Sequence, residues 1–122
     1  LKYIKSLDGK ELYIYGALKS KGIYKLDIDA PEKPELLVKF PGKEDGIAFG
    51  FDIIDDNKIL FSGTYDDETG IFLYDVVKES ATKLVSGGKT EEGEWCPDYN
   101  LSSDKTKLLY DLVSSAPGKS DV

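Results

Sequence analysis

Gly22-Ile23-Tyr24-Lys25-Leu26-Asp27-Ile28 returns about 48 residues later as Gly70-Ile71-Phe72-Leu73-Tyr74-Asp75-Val76. Each copy follows a matching turn and strand. Asp8-Gly9-Lys10-Glu11-Leu12-Tyr13-Ile14-Tyr15-Gly16 aligns with Asp55-Asp56-Asn57-Lys58-Ile59-Leu60-Phe61-Ser62-Gly63. A third copy begins at Asp104-Lys105-Thr106-Lys107-Leu108-Leu109-Tyr110, and its second half is expected to be missing. Runs rich in β-branched and aromatic residues, punctuated by Gly, Pro, Asn and Asp, read as short strands. No segment holds a helical period over ten or more residues.

Short strands repeating every 40–50 residues are the mark of propeller blades, each a four-stranded antiparallel sheet. The first blade is expected over about 1–40, with Pro31 and Pro34 breaking the chain before a short outer strand at Leu36-Leu37-Val38. The second spans about 41–86. It has a buried inner strand at Gly46–Ile54, a hairpin looping through Tyr65-Asp66-Asp67-Glu68-Thr69, and a fourth strand at Thr82–Val85. The third, about 87–122, is expected to be incomplete, with 114–121 loop-like. The expected fold is therefore all-β, a partial propeller of about two and a half four-stranded antiparallel blades in one domain.

Composition excludes several chemistries. A hydrophobic share of 40% beside 32% charged residues describes an ordinary globular chain. No apolar run approaches the roughly 18 residues of a membrane-spanning helix, so direct membrane insertion is not expected. All 16 basic residues are Lys, and the net charge is -7, which opposes nucleic-acid binding. His is absent, so no Ser-His-Asp or Cys-His pair can form. One Cys without His makes a zinc site improbable. No catalytic residue and no cofactor are expected. The lone Cys96 cannot form an internal disulfide and reads as a buried small apolar residue.

The remaining candidates are binding residues. Asp66, Asp67 and Glu68 are hard-oxygen groups in a hairpin loop, the weak calcium candidates. Glu91, Glu92 and Glu94 form an acidic loop suited to a basic partner. Trp95 precedes the third blade and offers a large contact surface with one donor. Against these stands the plainer reading, in which acidic turns are solvated and Trp95 packs between blades.

Leu101-Ser102-Ser103-Asp104-Lys105-Thr106-Lys107-Leu108-Leu109-Tyr110 resembles the Ser-Pro-Asp-Gly-Lys turn and following strand of TolB-like propeller repeats. The same repeat class occurs in propeller domains of prolyl oligopeptidase-type peptidases. It departs from the pattern at Ser103, usually Pro, and at Asp56 and Lys105, usually Gly. The resemblance implies a non-enzymatic binding or interaction platform in an extracytoplasmic setting, with a protein, peptide or small ligand as partner. A first alternative is the regulatory propeller of a prolyl oligopeptidase-type peptidase whose catalytic domain lies outside the chain. A second is a secreted structural protein. Asp8, Asp55 and Asp104 are expected to bond turn N–H groups, and Asp27 and Asp75 to cap the next turn.

The chain opens on Leu1 with no basic-then-apolar leader, and is expected to be a processed product or part of something larger. Two and a half blades expose apolar faces and strand edges, so continuation of the chain or self-association is expected to cover them. Light scattering checks this: a monodisperse monomer with an ordinary cooperative unfolding transition would contradict it.

Overall fold

The computed structural model describes residues 3–7, 10–17, 20–90, 93–110 and 118–121. They are all-β, with antiparallel sheets and no helix among the described residues. The chain forms two compact units, Leu1–Phe40 and Pro41–Val122.

The first unit is one sheet in the order β1 (Tyr3–Leu7), β2 (Glu11–Ala17), β3 (Lys21–Asp27), β4 (Ala30–Lys39). The second unit opens with a sheet in the same sequential order: β5 (Gly46–Asp55), β6 (Lys58–Tyr65), β7 (Glu68–Asp75), β8 (Ser80–Ser86). A small hairpin follows, β9 (Gly88–Thr90) with β10 (Gly93–Trp95). The last sheet is β11 (Tyr99–Leu101), β12 (Lys107–Tyr110) and β13 (Gly118–Asp121).

The repeat holds residue for residue in the ladders. Gly16 faces Gly22, Ile14 faces Tyr24 and Glu11 faces Asp27 across β2 and β3. Gly63 faces Gly70, Phe61 faces Phe72 and Lys58 faces Asp75 across β6 and β7. Correspondence extends into the fourth strand. Ile23 pairs with Val38, and Ile71 with Val85; both ladders then slip, between Ile23 and Tyr24 and between Ile71 and Phe72. A bulge adds a residue to one strand and bends it. It brings the fourth strand hard against the glycine that starts the repeat. A Cβ on Gly22 would lie 2.3 Å from the Val38 carbonyl oxygen, and one on Gly70 2.2 Å from that of Val85.

Alternation along the strands gives the second sheet two apolar sides. Phe51, Ile59, Phe61, Phe72 and Tyr74 are buried on one, where the Phe61 and Phe72 rings stack at 5.4 Å. Leu60, Ile71 and Val85 lie on the other and pack with Leu108 of β12. Ile54, Leu73, Leu84, Tyr99, Leu101 and Tyr110 flank that cluster, so the third sheet lies against the second through this face. Burying each such side chain contributes about 2 kcal/mol relative to exposure.

Several local expectations are corrected. Pro31 and Pro34 do not break the chain before the first unit's last strand but lie inside it, in β4. That strand is an exposed edge, and its register shifts between Lys25 and Asp27, so the prolines need no ladder partner. The inner strand β5 is not buried throughout. Ala48 and Phe49 fall in a bulge between Ile47 and Gly50, which leaves Phe49 53% exposed. The five-residue hairpin loop is a two-residue turn, because Tyr65 and Glu68 still pair. Residues 118–121 are a strand rather than a loop. Its register places Asp121 opposite Lys107, as Asp75 stands opposite Lys58. Cys96 is half-buried rather than fully buried.

Gly70→Ala is expected to destabilise the chain by about 3 kcal/mol, because the carbonyl it meets is backbone and cannot swing aside. Gly22→Ala should behave alike. Urea unfolding of each variant measures the loss; an unchanged midpoint would show that the close approach is absent in solution.

Candidate functional site

One end of the second sheet carries the incoming crossing segment, residues 40–45, and the β6–β7 turn. The turn residues Asp66 and Asp67 have φ of 52° and 63°, the left-handed pair of a type I′ hairpin. Asp tolerates that conformation better than most residues, which accounts for the Asp-Asp sequence locally. Their backbone N–H groups do not point to water. Asp66 N–H donates to Asp45 Oδ2 at 2.8 Å and Asp67 N–H to Asp45 Oδ1 at 2.9 Å. Gly42 N–H donates to Asp45 Oδ2 at 2.6 Å. Asp45 itself is only 1% exposed. One buried carboxylate therefore latches the crossing segment to the hairpin tip.

The outgoing crossing leaves from the same end, where Gly87 N–H donates to the Thr69 carbonyl at 2.8 Å. The β9–β10 hairpin follows at once. Ser62, fully buried on β6, donates its hydroxyl to the Pro97 carbonyl. Tyr99 donates to Asp52 Oδ2 at 2.7 Å. By connectivity, the turn Asp66–Asp67 and the β9–β10 hairpin thus belong to one end of this unit.

Sequence candidates distribute unevenly over this geometry. Glu94 and Trp95 lie in β10, their backbones opposite Lys89 and Gly88. Glu91 and Glu92 lie outside the described residues. Asp66, Asp67 and Glu68 are exposed, and Glu68 pairs with Lys83 at 3.3 Å. No group of three or more His, Cys, Asp or Glu side chains that could hold a metal ion occurs among the described residues. Asp45 was not singled out from sequence. Asp-Gly reads as an ordinary turn, and its hairpin donors lie more than 20 residues away.

Within each unit, other turns are held by the repeat's own carboxylates. Asp55 accepts from Asn57 N–H at 2.8 Å and Asp27 from Asp29 N–H at 2.8 Å. Asp75 accepts from Lys78 N–H at 2.9 Å, a bond that lowers its pKa. Asp104 accepts from the Ser102 and Thr106 hydroxyls, each at 2.7 Å, and from Thr106 N–H at 3.1 Å. These bonds, led by Ser102, bring its pKa down to about 2. Asp8 lies outside the described residues. Lys105, standing where the resembled repeat has Gly, takes a left-handed φ of 62°. Its ammonium donates to the Ile53 carbonyl at 2.7 Å, a bond that helps offset the strain.

At the hairpin tip, Tyr65 is pushed above the ordinary phenol pKa by burial, then by the charges of Asp66 and Asp45. What these groups offer chemically is hydrogen bonding and charge. No known family model matches the chain, nor does any curated protein or solved structure.

Asp45→Ala is expected to cost about 3 kcal/mol and to speed amide exchange at Gly42, Asp66 and Asp67 above all other sites. Equal exchange before and after substitution would rule the latch out. A second expectation concerns acid. Asp104 has a folded pKa of about 2 against an ordinary 3.8, so its contribution to stability is complete above about pH 4 and disappears as pH falls through about 2. Carbon-detected NMR should place the Asp104 carboxyl midpoint near 2; a midpoint at 3.8 would mean the turn bonds do not persist.

Proposed function

We propose that this chain is a run of TolB-like propeller blades and works as a non-enzymatic binding platform, with the crossing end of its sheets as the contact surface. The observation that carries the reading is the shared register of the first two sheets, bulge included, together with Asp121 at the matching place in the third. Packing of Leu108 on the Leu60–Ile71–Val85 face supports it, because Leu108 is the repeat equivalent of Ile59. Successive sheets of a propeller meet by such opposite faces. Loops held on a rigid sheet suit recognition. The partner this end favours is a protein, peptide or small ligand with cationic groups, since Glu44, Asp66, Asp67 and Glu68 are exposed there.

Panning a displayed peptide library on the chain, followed by NMR shift mapping of the selected peptides, tests the reading. Selected peptides are expected to bind uncleaved and to shift amides within 42–45, 66–68 and 88–97. Turnover of peptide, ester or glycoside substrates, or mapping to the Asp56–Asn57 end instead, would overturn it.

A further inference from the structure

The carboxylate that latches the crossing segment to the hairpin belongs to an Asp-Gly pair, Asp45-Gly46. Asp followed by Gly is the dipeptide most open to backbone rearrangement. Gly has no side chain to shield its amide nitrogen, and its backbone turns freely toward the preceding side chain. The Gly46 nitrogen attacks the Asp45 side-chain carbon Cγ. A C–N bond forms, one carboxyl oxygen leaves as water, and a five-membered succinimide results. Water then opens the ring at either carbonyl. One opening restores Asp. The other gives isoaspartate, whose main chain runs through the former side chain and is one methylene longer. The water lost in the first step is regained in the second, and no other reagent is consumed.

In the folded chain this carboxylate is committed elsewhere. Oδ2 accepts from Gly42 N–H at 2.6 Å and from Asp66 N–H at 2.8 Å, and Oδ1 accepts from Asp67 N–H at 2.9 Å. The residue is 1% exposed, which withholds the water that opens the ring. Ring closure removes one of these oxygens and draws the other back onto its own chain, so it proceeds only from an opened latch. The seat is also close. A Cβ on Gly42 would lie 2.5 Å from Asp45 Oδ1 and 2.5 Å from Asp67 Oδ1. Only glycine at position 42 leaves the carboxylate room to reach its donors.

We propose that Asp45-Gly46 is a self-modification site held silent by the latch, and that isoaspartate formed there releases the hairpin tip for good. Each local opening of the crossing segment frees the Asp45 carboxyl for attack by its own neighbour. The product cannot close again. Its pendant carboxylate sits directly on Cα, one methylene short of the reach that Gly42, Asp66 and Asp67 require. The added main-chain atom also displaces Gly46 from its pairing with Thr64. Donors left without an acceptor destabilise the closed arrangement, which makes the step one-way. The inference rests on the geometry of the latch and not on what this end binds, so either can fail alone.

The test incubates the full chain, its Gly42→Ala variant and a free peptide copying residues 40–50 in heavy-oxygen water at neutral pH. Mass spectrometry of fragments spanning the 45–46 bond counts isoaspartate and incorporated oxygen. The peptide sets the unprotected rate, and the folded chain is expected to react at least about tenfold more slowly. Gly42→Ala, whose Cβ displaces the carboxylate, is expected to return to within about threefold of the peptide while keeping its strand circular dichroism. In wild-type chain under graded urea below the unfolding transition, the rate should rise in step with amide exchange at Asp66 and Asp67. That series decides the matter even if the alanine variant does not fold. Chain carrying isoaspartate at position 45 should exchange those two amides rapidly. Reaction of the folded chain at the peptide's rate, a folded Gly42→Ala no faster than wild type, or a rate indifferent to urea would each overturn the proposal. So would continued protection of Asp66 and Asp67 in the isoaspartate product.

Discussion

Face-to-face burial of one sheet on the next is the interaction the second unit depends on. Leu60, Ile71 and Val85 come from three different strands and converge on Leu108 of a fourth. The other side of the same sheet is equally apolar, with Ile59, Phe61, Phe72 and Tyr74 at full or nearly full burial. Such a sheet cannot leave either face in water, unlike the one-sided antiparallel sheets whose strands alternate apolar and polar. Directional bonds then fix how the two sheets of this unit meet. Ser62 to the Pro97 carbonyl, Tyr99 to Asp52 and Lys105 to the Ile53 carbonyl all join the second sheet to the segment that builds the third. Apolar contact supplies the attraction, and these three bonds select one orientation.

Turns in this chain are closed by carboxylates. Asp27, Asp55, Asp75 and Asp104 each accept from backbone N–H groups two or three residues on, and Asp45 accepts from both its own loop and a distant hairpin. A charged acceptor makes a stronger bond than a neutral one and needs no second strand to supply it. Part of the net charge of -7 is thus a consequence of how the turns are made. That bears on the acidic residues of the hairpin loop, the weak calcium candidates of the sequence. Asp66 and Asp67 serve a left-handed two-residue turn, and their backbone, more than their carboxylates, accounts for their presence.

What was legible in the chain was what repeats locally. Glycine followed by an aliphatic and an aromatic residue, a closing Asp, and Asp-rich turns marked strands whose pairing partners lie a few residues away. The bulges opposite Ile23–Tyr24 and Ile71–Phe72 were not legible, because they depend on the fourth strand's fit and not on any residue type within it. β13 was missed for a different reason. Its middle residues, Lys119 and Ser120, show no apolar alternation, and only the Asp121-Val122 ending matches Asp27-Ile28 and Asp75-Val76. Phe49 shows the reverse error. An apolar run suggests burial, but the bulge at Ala48 and Phe49 turns the ring outward. At the site end, the β6–β7 hairpin could be placed from sequence, though with a longer loop, but its anchor, Asp45, and the β9–β10 pairing could not. Long-range hydrogen bonds to a buried carboxylate leave no periodic trace.

The β5 bulge has a physical consequence of its own. β5 is an edge of its sheet, and an unbroken edge invites pairing with another chain. Inserting Ala48 and Phe49 interrupts the ladder for two residues and requires Gly50 at a φ of 111°, a conformation that disfavours any side chain. The cost is an exposed aromatic ring and a conformationally loose residue inside a strand. The return is a kinked edge that a flat incoming strand cannot follow past Ile47. On the outer side of the same sheet, the β8 slip opposite Ile71 interrupts the other edge. Both borders of the second sheet are thus interrupted while both of its apolar faces are buried, one of them against the third sheet.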